Sequence, residues 1–300
     1  MPTLSSIRLL GEAAKVWLER NAFQHAGALA FYTLFSLAPL MIILVAIIGT
    51  VYGEEAARGE IFAWIKDLLG NQAAAAVADA VRRSSPAEAG LLPTLLGVGA
   101  LLFGATTVFA QMQSSLNQFW DVRPRPERSS ILSFVAVRLL SLGMVLILGF
   151  LMLISFAGTI AIAGIIEYAG HWIAVPSLLV SAVDVALSLL VTTAVFGMLF
   201  RILPDVQLQW SDVWRGALFT AILFVIGQYL ITFYLTRVAP ESTYGAAGAL
   251  VLVLLWVYFS SLILYFGTAM TKVAVLHRDG VVVPKGSAVR KRMSDGPASM

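Results

Sequence analysis

The chain of 300 residues contains no cysteine, three histidines, and only 12% charged residues. Without cysteine there can be no disulfide, thiolate zinc site, Cys-ligated iron–sulfur cluster or cysteine nucleophile, and nothing reports on redox compartment. A soluble domain carries about 25% charged residues. Here 59% of residues are hydrophobic and the mean hydropathy is +0.86. In water such a chain would expose large apolar patches and aggregate. The composition excludes a disordered chain and argues against a soluble enzyme or a nucleic-acid binder. It fits a polytopic membrane protein. The net charge of +3 does not require nucleic acid, because cytoplasmic loops of membrane proteins collect Lys and Arg. An apolar signal-peptide core is also missing: Arg8, Glu12, Lys15, Glu19 and Arg20 punctuate the start of the chain.

What is present is a series of long apolar runs. A span needs about 20 apolar residues. Six stretches qualify, at roughly 27–52, 91–117, 139–166, 173–200, 213–236 and 246–271. Each must be helical, since lipid offers no partner to an unpaired backbone group. Arg138 divides the long run 131–166 and marks an interfacial start to the third span. Basic residues gather at one side of the bundle: Arg8, Lys15 and Arg20, then Arg123, Arg125 and Arg128, and then the C-terminal segment with Lys272, Arg278 and Lys285. Fewer lie on the other side, among them Arg58, Lys66 and Arg237. The positive-inside rule then puts both termini in the cytoplasm.

Two further segments read as amphipathic helices. Leu4, Ile7, Leu10, Ala14, Trp17 and Leu18 share one face of an N-terminal helix, opposite the i,i+4 pairs Arg8/Glu12 and Lys15/Glu19. Ile61, Ile65, Leu68 and Leu69 share a face of a periplasmic helix. The expected fold is therefore all-α: a polytopic bundle of six transmembrane helices with amphipathic N-terminal and periplasmic helices. Residues 1–276 form a single membrane domain, 53–90 its periplasmic loop, and 277–300 a disordered cytoplasmic tail rich in Gly, Ser, Pro, Lys and Arg.

Little here suggests catalysis. There is no HExxH or HxH spacing and no GxxxxGK[ST] loop, so the chain is read as no enzyme, with no cofactor and no metal of its own. His25, His171 and His277 fall before the first span, between the third and fourth, and after the sixth. Ionisable groups within spans are the best pointers to a site, because each costs several kcal/mol unless paired or hydrated. Asp184, near the middle of the fourth span, is either a proton- or cation-coupled group or a carboxyl hydrogen-bonded to a neighbouring helix. Arg138 reads as a side chain that snorkels to the boundary. Gln113, Asn117 and Asp121 form an i,i+4 row at the end of the second span, lining a vestibule or holding helices together. Pro39 interrupts the first span and frees the Phe35 carbonyl, a packing proline or a helix break with Ser36 beside it. Glu54 and Glu55 follow that span as a cation-attracting rim or as the first turn of the periplasmic helix.

Several ordered stretches carry a resemblance. They are Ala26–Pro39 (AGALAFYTLFSLAP), Gly53–Glu55, Gln118–Val122 (QFWDV), Leu203–Pro204, Trp214–Gly216 and Tyr244–Val275, the last containing YGAAGALVLVLLWVYFSSLILYFGTAMTKV. Together they resemble the YihY/BrkB family of bacterial inner-membrane proteins over roughly residues 10–276. The resemblance implies a six-helix membrane protein linked to the cell envelope and to transport of lipids or solutes. It implies no catalytic residues, and the family's older ribonuclease BN label is a misassignment that the scattered histidines independently disfavour. The leading expectation is a transporter or lipid-translocating protein without its own ATPase. Membrane lipids and a small solute or lipid substrate would be its partners, with a cavity bounded by the first, second, fourth and sixth spans. The alternative is an envelope scaffold that binds a partner protein through its amphipathic helices.

Overall fold

A computed structural model describes residues 2–53, separate residues between 55 and 79, and residues 91–125, 130–170, 177–238 and 245–290. The elements are α1 (Pro2–Glu19), α2 (Ala22–Tyr52), α3 (Leu91–Phe119), β1 (Val122–Pro124), α4 (Ser130–Gly170), α5 (Ser177–Ile202), α6 (Trp210–Val238), α7 (Gly245–Asp279) and β2 (Ala288–Arg290). Four helices are long and apolar enough to cross a membrane by length and composition among the described residues, over Phe134–Ile162, Val185–Ile202, Trp210–Leu230 and Leu250–Arg278.

Backbone conformation sets the breaks. Asn21, at φ 51°, separates α1 from α2, and Asp121, at φ 55°, ends the α3 turn before β1. Asn and Asp tolerate this left-handed region better than other side chains. Gly53, at φ 88°, stops α2. The helices run alternately up and down. The start of α2 therefore lies beside the end of α3, where His25 meets Phe119. The start of α6 lies beside the end of α7.

That last contact is unusually close. A Cβ added at Gly216 would lie 2.0 Å from Thr271 Oγ1, and one at Gly267 would lie 1.9 Å from Thr220 Oγ1. Gly216 and Thr220 are four apart on α6, as Gly267 and Thr271 are on α7, so glycine faces threonine twice across the antiparallel pair. Each threonine hydroxyl donates to its own helix, Thr220 to the Gly216 carbonyl at 2.6 Å and Thr271 to the Gly267 carbonyl at 2.8 Å. The interface is thus tight and internally satisfied, which is how helices associate where lipid supplies no hydrophobic drive.

The buried core gathers at one end of the bundle, here the polar end. It includes Phe119, Trp120, Phe200, Leu203, Val206 and Tyr265. Towards the opposite end, α4 exposes Phe150, Ile154 and Ile165, a surface that only an apolar surround can cover. There a smaller cluster joins Leu44, Val45 and Ile48 of α2 to Ile61, Ile65 and Ala74. Ile61 and Ile65 belong to the predicted periplasmic face; Leu68 and Leu69 lie outside the described residues.

Three expectations change. First, the all-α bundle carries one addition, an antiparallel ribbon in which β1 and β2 pair Val122 with Arg290, Arg123 with Val289 and Pro124 with Ala288. Second, the expected disordered tail 277–300 is folded as far as residue 290. Residues 277–279 complete α7, Val206 bridges Pro284, and β2 closes on β1. Residues 291–300 lie outside the described residues. Third, α1 buries Ala13 and packs the half-buried Leu9, Val16 and Trp17 against the core, whereas Leu10 and Leu18 are exposed. The small Ala13 lets α1 approach, and the Trp17 indole donates to the Leu262 carbonyl at 3.1 Å. Among the described residues of the expected apolar face, Leu10 and Leu18 face outward, which suits a helix at a lipid interface.

Candidate functional site

Two polar clusters at the polar end tie the helix termini together. Asp121 sits where three segments meet. Its carboxylate accepts from Arg20 Nη2 at 2.7 Å and from Lys272 Nζ at 2.7 Å. Lys272 is buried and also donates to the Phe119 carbonyl at 2.7 Å, covering one of the acceptors that the end of α3 leaves open. Buried ammonium groups need such partners, since desolvation otherwise outweighs any attraction.

The second cluster centres on Asp205, in the α5–α6 connection. Asn117 Nδ2 donates to Asp205 Oδ2 at 2.8 Å, and the Asp205 backbone N–H donates to Asn117 Oδ1 at 2.8 Å. Gln113 adds a longer bond to the same oxygen at 3.4 Å, and Ser287 Oγ donates to Oδ1 at 3.3 Å. The C-terminal segment is thereby fastened to α3 and α5. Lys285 strengthens the tie: its N–H donates to the Asp205 carbonyl, and its Nζ to the Pro204 and Ile202 carbonyls at 2.7 and 3.2 Å. A cation at the end of α5 also suits the helix dipole. Glu12 pairs with His277 at 3.3 Å, and Arg278 with Asp212. His25 packs edge-on against Phe119 and Tyr265, and this burial lowers its pKa from 6.5, opposed by a hydrogen bond with Gln118.

Gln113, Asn117 and Asp121 are thus brought together by α3, each joined to another segment. Glu55 is exposed near the opposite end, and Glu54 lies outside the described residues. Pro39 lies within α2, which continues through it, and the nearby Ser36 hydroxyl is buried without a protein partner. Asp184 occupies α5 between the exposed Val183 and Val185. The side chains of Asp184 and Pro39 lie outside the described residues, as does His171.

Arg138 departs from the snorkelling expectation. Its guanidinium donates to Thr107 Oγ1 at 3.0 Å, Thr106 Oγ1 at 3.1 Å and the Phe103 carbonyl at 3.3 Å. It lies 4.1 Å from the centroid of the Phe103 ring and 5.2 Å from that of Phe134. Thr107 precedes Phe119 by twelve residues, which places the charge about 18 Å along α3 from the polar end. Both rings are exposed, at 56% and 54%. The cation therefore sits in an aromatic-flanked groove between α3 and α4. Among the described residues it has no carboxylate partner.

A cavity of about 860 Å³ opens beside the polar end. It is bounded by α4–α7, which carry the third to sixth apolar runs, and by the C-terminal segment; the expected cavity walls from the first and second runs do not line it. Among the described residues no group of three or more His, Asp or Glu is placed to hold a metal ion.

Sequence reasoning missed Asp205, Lys272 and Lys285 as partners. Lys272 carried one signal: apolar and small residues flank it on both sides (TAMTKVAVL), which is unusual for a solvated tail. Asp205 carried none beyond its place after Pro204.

A family model described as virulence factor BrkB matches residues 13–292. Among relatives, a UPF0761 membrane protein of Alcanivorax borkumensis is 25% identical over 87% of this chain and 59% of its own length. One of Pseudoalteromonas translucida is 26% identical over 82% of this chain and 79% of its own length. A putative ribonuclease-like protein of Bacillus subtilis is 27% identical over 61% of this chain and 65% of its own length. The chain thus spans less than two thirds of the Alcanivorax relative. No solved structure matches it.

Proposed function

Given that the chain belongs to the BrkB family of membrane proteins, we propose that it is a six-span inner-membrane protein with cytoplasmic termini that moves an anionic lipid or solute across the bilayer without its own ATPase. The observation that carries this reading is Arg138. Arg138 stands four residues inside the apolar span Phe134–Ile162, about 6 Å from its start, at the edge of a hydrocarbon core about 30 Å thick. A charge inside a span marks a substrate path, a relay or a structural pair. Its donors go to hydroxyls and a carbonyl, which leave its formal charge uncompensated, and two exposed rings flank it. A passing phosphate or carboxylate would gain bidentate contacts there.

The ribonuclease-like name of the Bacillus relative does not extend to this chain's chemistry, and the protein is read as no enzyme. His25 is wedged between aromatic rings and His277 is paired with Glu12.

The test is transbilayer movement of a fluorescent anionic lipid in proteoliposomes, read as protection of the headgroup from an external quencher. Wild type should exchange lipid faster than empty liposomes. Arg138→Gln should slow that exchange about tenfold, while Arg138→Lys retains more of it. Asp184→Asn tests the carboxyl in α5 in the same assay. Exchange no faster than in empty liposomes would sink lipid movement and favour the scaffold reading, with α1 as a contact surface.

A further inference from the structure

The cavity at the polar end is built from chemically unlike walls. Arg201, at the end of α5, and Lys285, from the C-terminal segment, bring two cations to it. Arg278 also lines it but is held by Asp212, whose carboxylate accepts from Arg278 Nη2 at 3.0 Å. That pair is neutral in sum, which leaves Arg201 and Lys285, the latter partly balanced by the nearby Asp205 carboxylate. Arg201 lies over the Trp210 ring, 5.6 Å from its centroid, and has no carboxylate partner among the described residues. A guanidinium stacked on a ring keeps its edge donors free for another acceptor. Lys285 spends donors on the Ile202 and Pro204 carbonyls, and these are neutral acceptors.

The two cations also sense one another. Burial lowers the Lys285 pKa from 10.5; Asp205 raises it, and Arg201 lowers it further. An anion between them would relieve this repulsion. Gln207 and Gln209 of the α5–α6 connection add polar wall, and the rest is apolar, including Leu140 from α4, Val275 from α7, and Val281 and Val283 from the C-terminal segment. Val281 and Val283 are half exposed, with the buried Val282 between them, so two apolar side chains are presented at the mouth. Trp210 and Trp214 are exposed at the start of α6, as aromatic side chains are at headgroup depth.

We propose that this cavity binds the phosphate ester of an amphiphile, the phosphate seated between Arg201 and Lys285 and the first apolar carbons lying along Val281, Val283 and Leu140. Basic pockets between spans at the cytoplasmic face suit anionic headgroups. The volume of about 860 Å³ accommodates a headgroup with its glycerol, since ligand pockets run from about 300 to 1,000 Å³. The site is distinct from the Arg138 groove, and occupancy does not require that anything be carried across the membrane.

The test uses the full-length protein in nanodiscs of phosphatidylcholine, titrated with phosphatidylglycerol and, in a separate arm, with soluble glycerol phosphate and inorganic phosphate. Bound lipid is read by native mass spectrometry and occupancy by thermal shift. Wild type should retain phosphatidylglycerol over phosphatidylcholine, and Arg201→Gln should weaken that retention about tenfold, the loss of one charge-assisted contact. Val283→Asp, at an exposed wall position, should do the same by repulsion. Arg215→Gln, an exposed basic residue that does not line the cavity, should change nothing. Glycerol phosphate stabilising the protein as well as the lipid, with the same Arg201 dependence, would support the phosphate site and assign it to a soluble ester. Retention unchanged in both Arg201→Gln and Val283→Asp, or no preference for phosphate in any arm, would overturn the proposal. Because this reads binding alone, it can fail while lipid exchange through Arg138 succeeds, and the reverse.

Discussion

Asn117 and Gln113 sit one helical turn apart and approach the same carboxylate oxygen of Asp205, yet they do not contribute equally. Asn117 makes a reciprocal pair of 2.8 Å bonds, one through its amide and one from the Asp205 backbone. Gln113 makes one bond at 3.4 Å, and its Oε1 is buried without a partner. Removing Asn117 would leave a partly buried N–H without its partner and weaken the hold on the carboxylate, so Asn117→Ala should destabilise by about 1–3 kcal/mol. Gln113→Met removes a weak bond and an unpaired acceptor together and should be nearly neutral. Thermal unfolding in detergent distinguishes the two, and equal losses would show that the row does not act through Asp205. His25 supplies a pH-dependent counterpart. Its folded pKa lies below 6.5 because burial disfavours the imidazolium. Below pH 6.5 the unfolded chain takes up this proton first, so stability falls with pH until the lowered folded value is passed. His25→Phe keeps an aromatic ring against Phe119 and Tyr265 and should flatten that acid limb between pH 7 and 5. An unchanged slope would place the sensitivity elsewhere.

At the scale of elements, what lipid dictates was legible and what loops dictate was not. The apolar runs over 139–166, 173–200, 213–236 and 246–271 coincide with helices able to span, because a lipid core demands length, helicity and apolarity at once. The polar row on α3 was also legible, since i,i+4 spacing fixes a face. Its partners were not: Asp205 is 88 residues away on a connection, and Lys272 is 151 residues from Asp121. The ribbon of β1 and β2 was invisible because its strands are three residues each and 281–290 carries glycine, proline and serine that read as tail. The glycine–threonine mesh of α6 and α7 was not read from the sequence, because single small residues do not show which residue across the interface they meet. It makes a sharp prediction. Gly216→Ala drives a methyl into Thr271 and should destabilise by about 1–3 kcal/mol, as overpacking does. Thr271→Gly added to that variant restores the space on the other helix, and the double variant should regain most of the loss. Additive losses in thermal unfolding would refute the meshing.

At the scale of the whole molecule, the proposed orientation is argued from the arrangement of charge and fold. Arg20, Lys272, Arg278 and Lys285 all act at the polar end, and each is held there by a carboxylate or by backbone carbonyls. The N-terminal helix reaches this end through Arg20 and Glu12, the C-terminal segment through Lys285 and β2. The two ends of the chain are thus joined on one side of the bundle, which requires an even number of crossings if the helices span. Lys and Arg near span ends are retained on the cytoplasmic side. A cytoplasm-active reporter fused after Met300 should therefore be active, and one fused within 53–90 inactive, with the reverse pattern for a periplasm-active reporter. Moving charge should disturb this only where it is not already locked. Adding lysines within 53–90 should weaken the orientation, whereas Arg215→Gln, a single exposed substitution on the basic side, should leave it intact. A C-terminal fusion active outside the cell membrane, or termini on opposite sides, would contradict the even crossing and with it the six-span reading, because α1 and β2 could not then meet at one polar end.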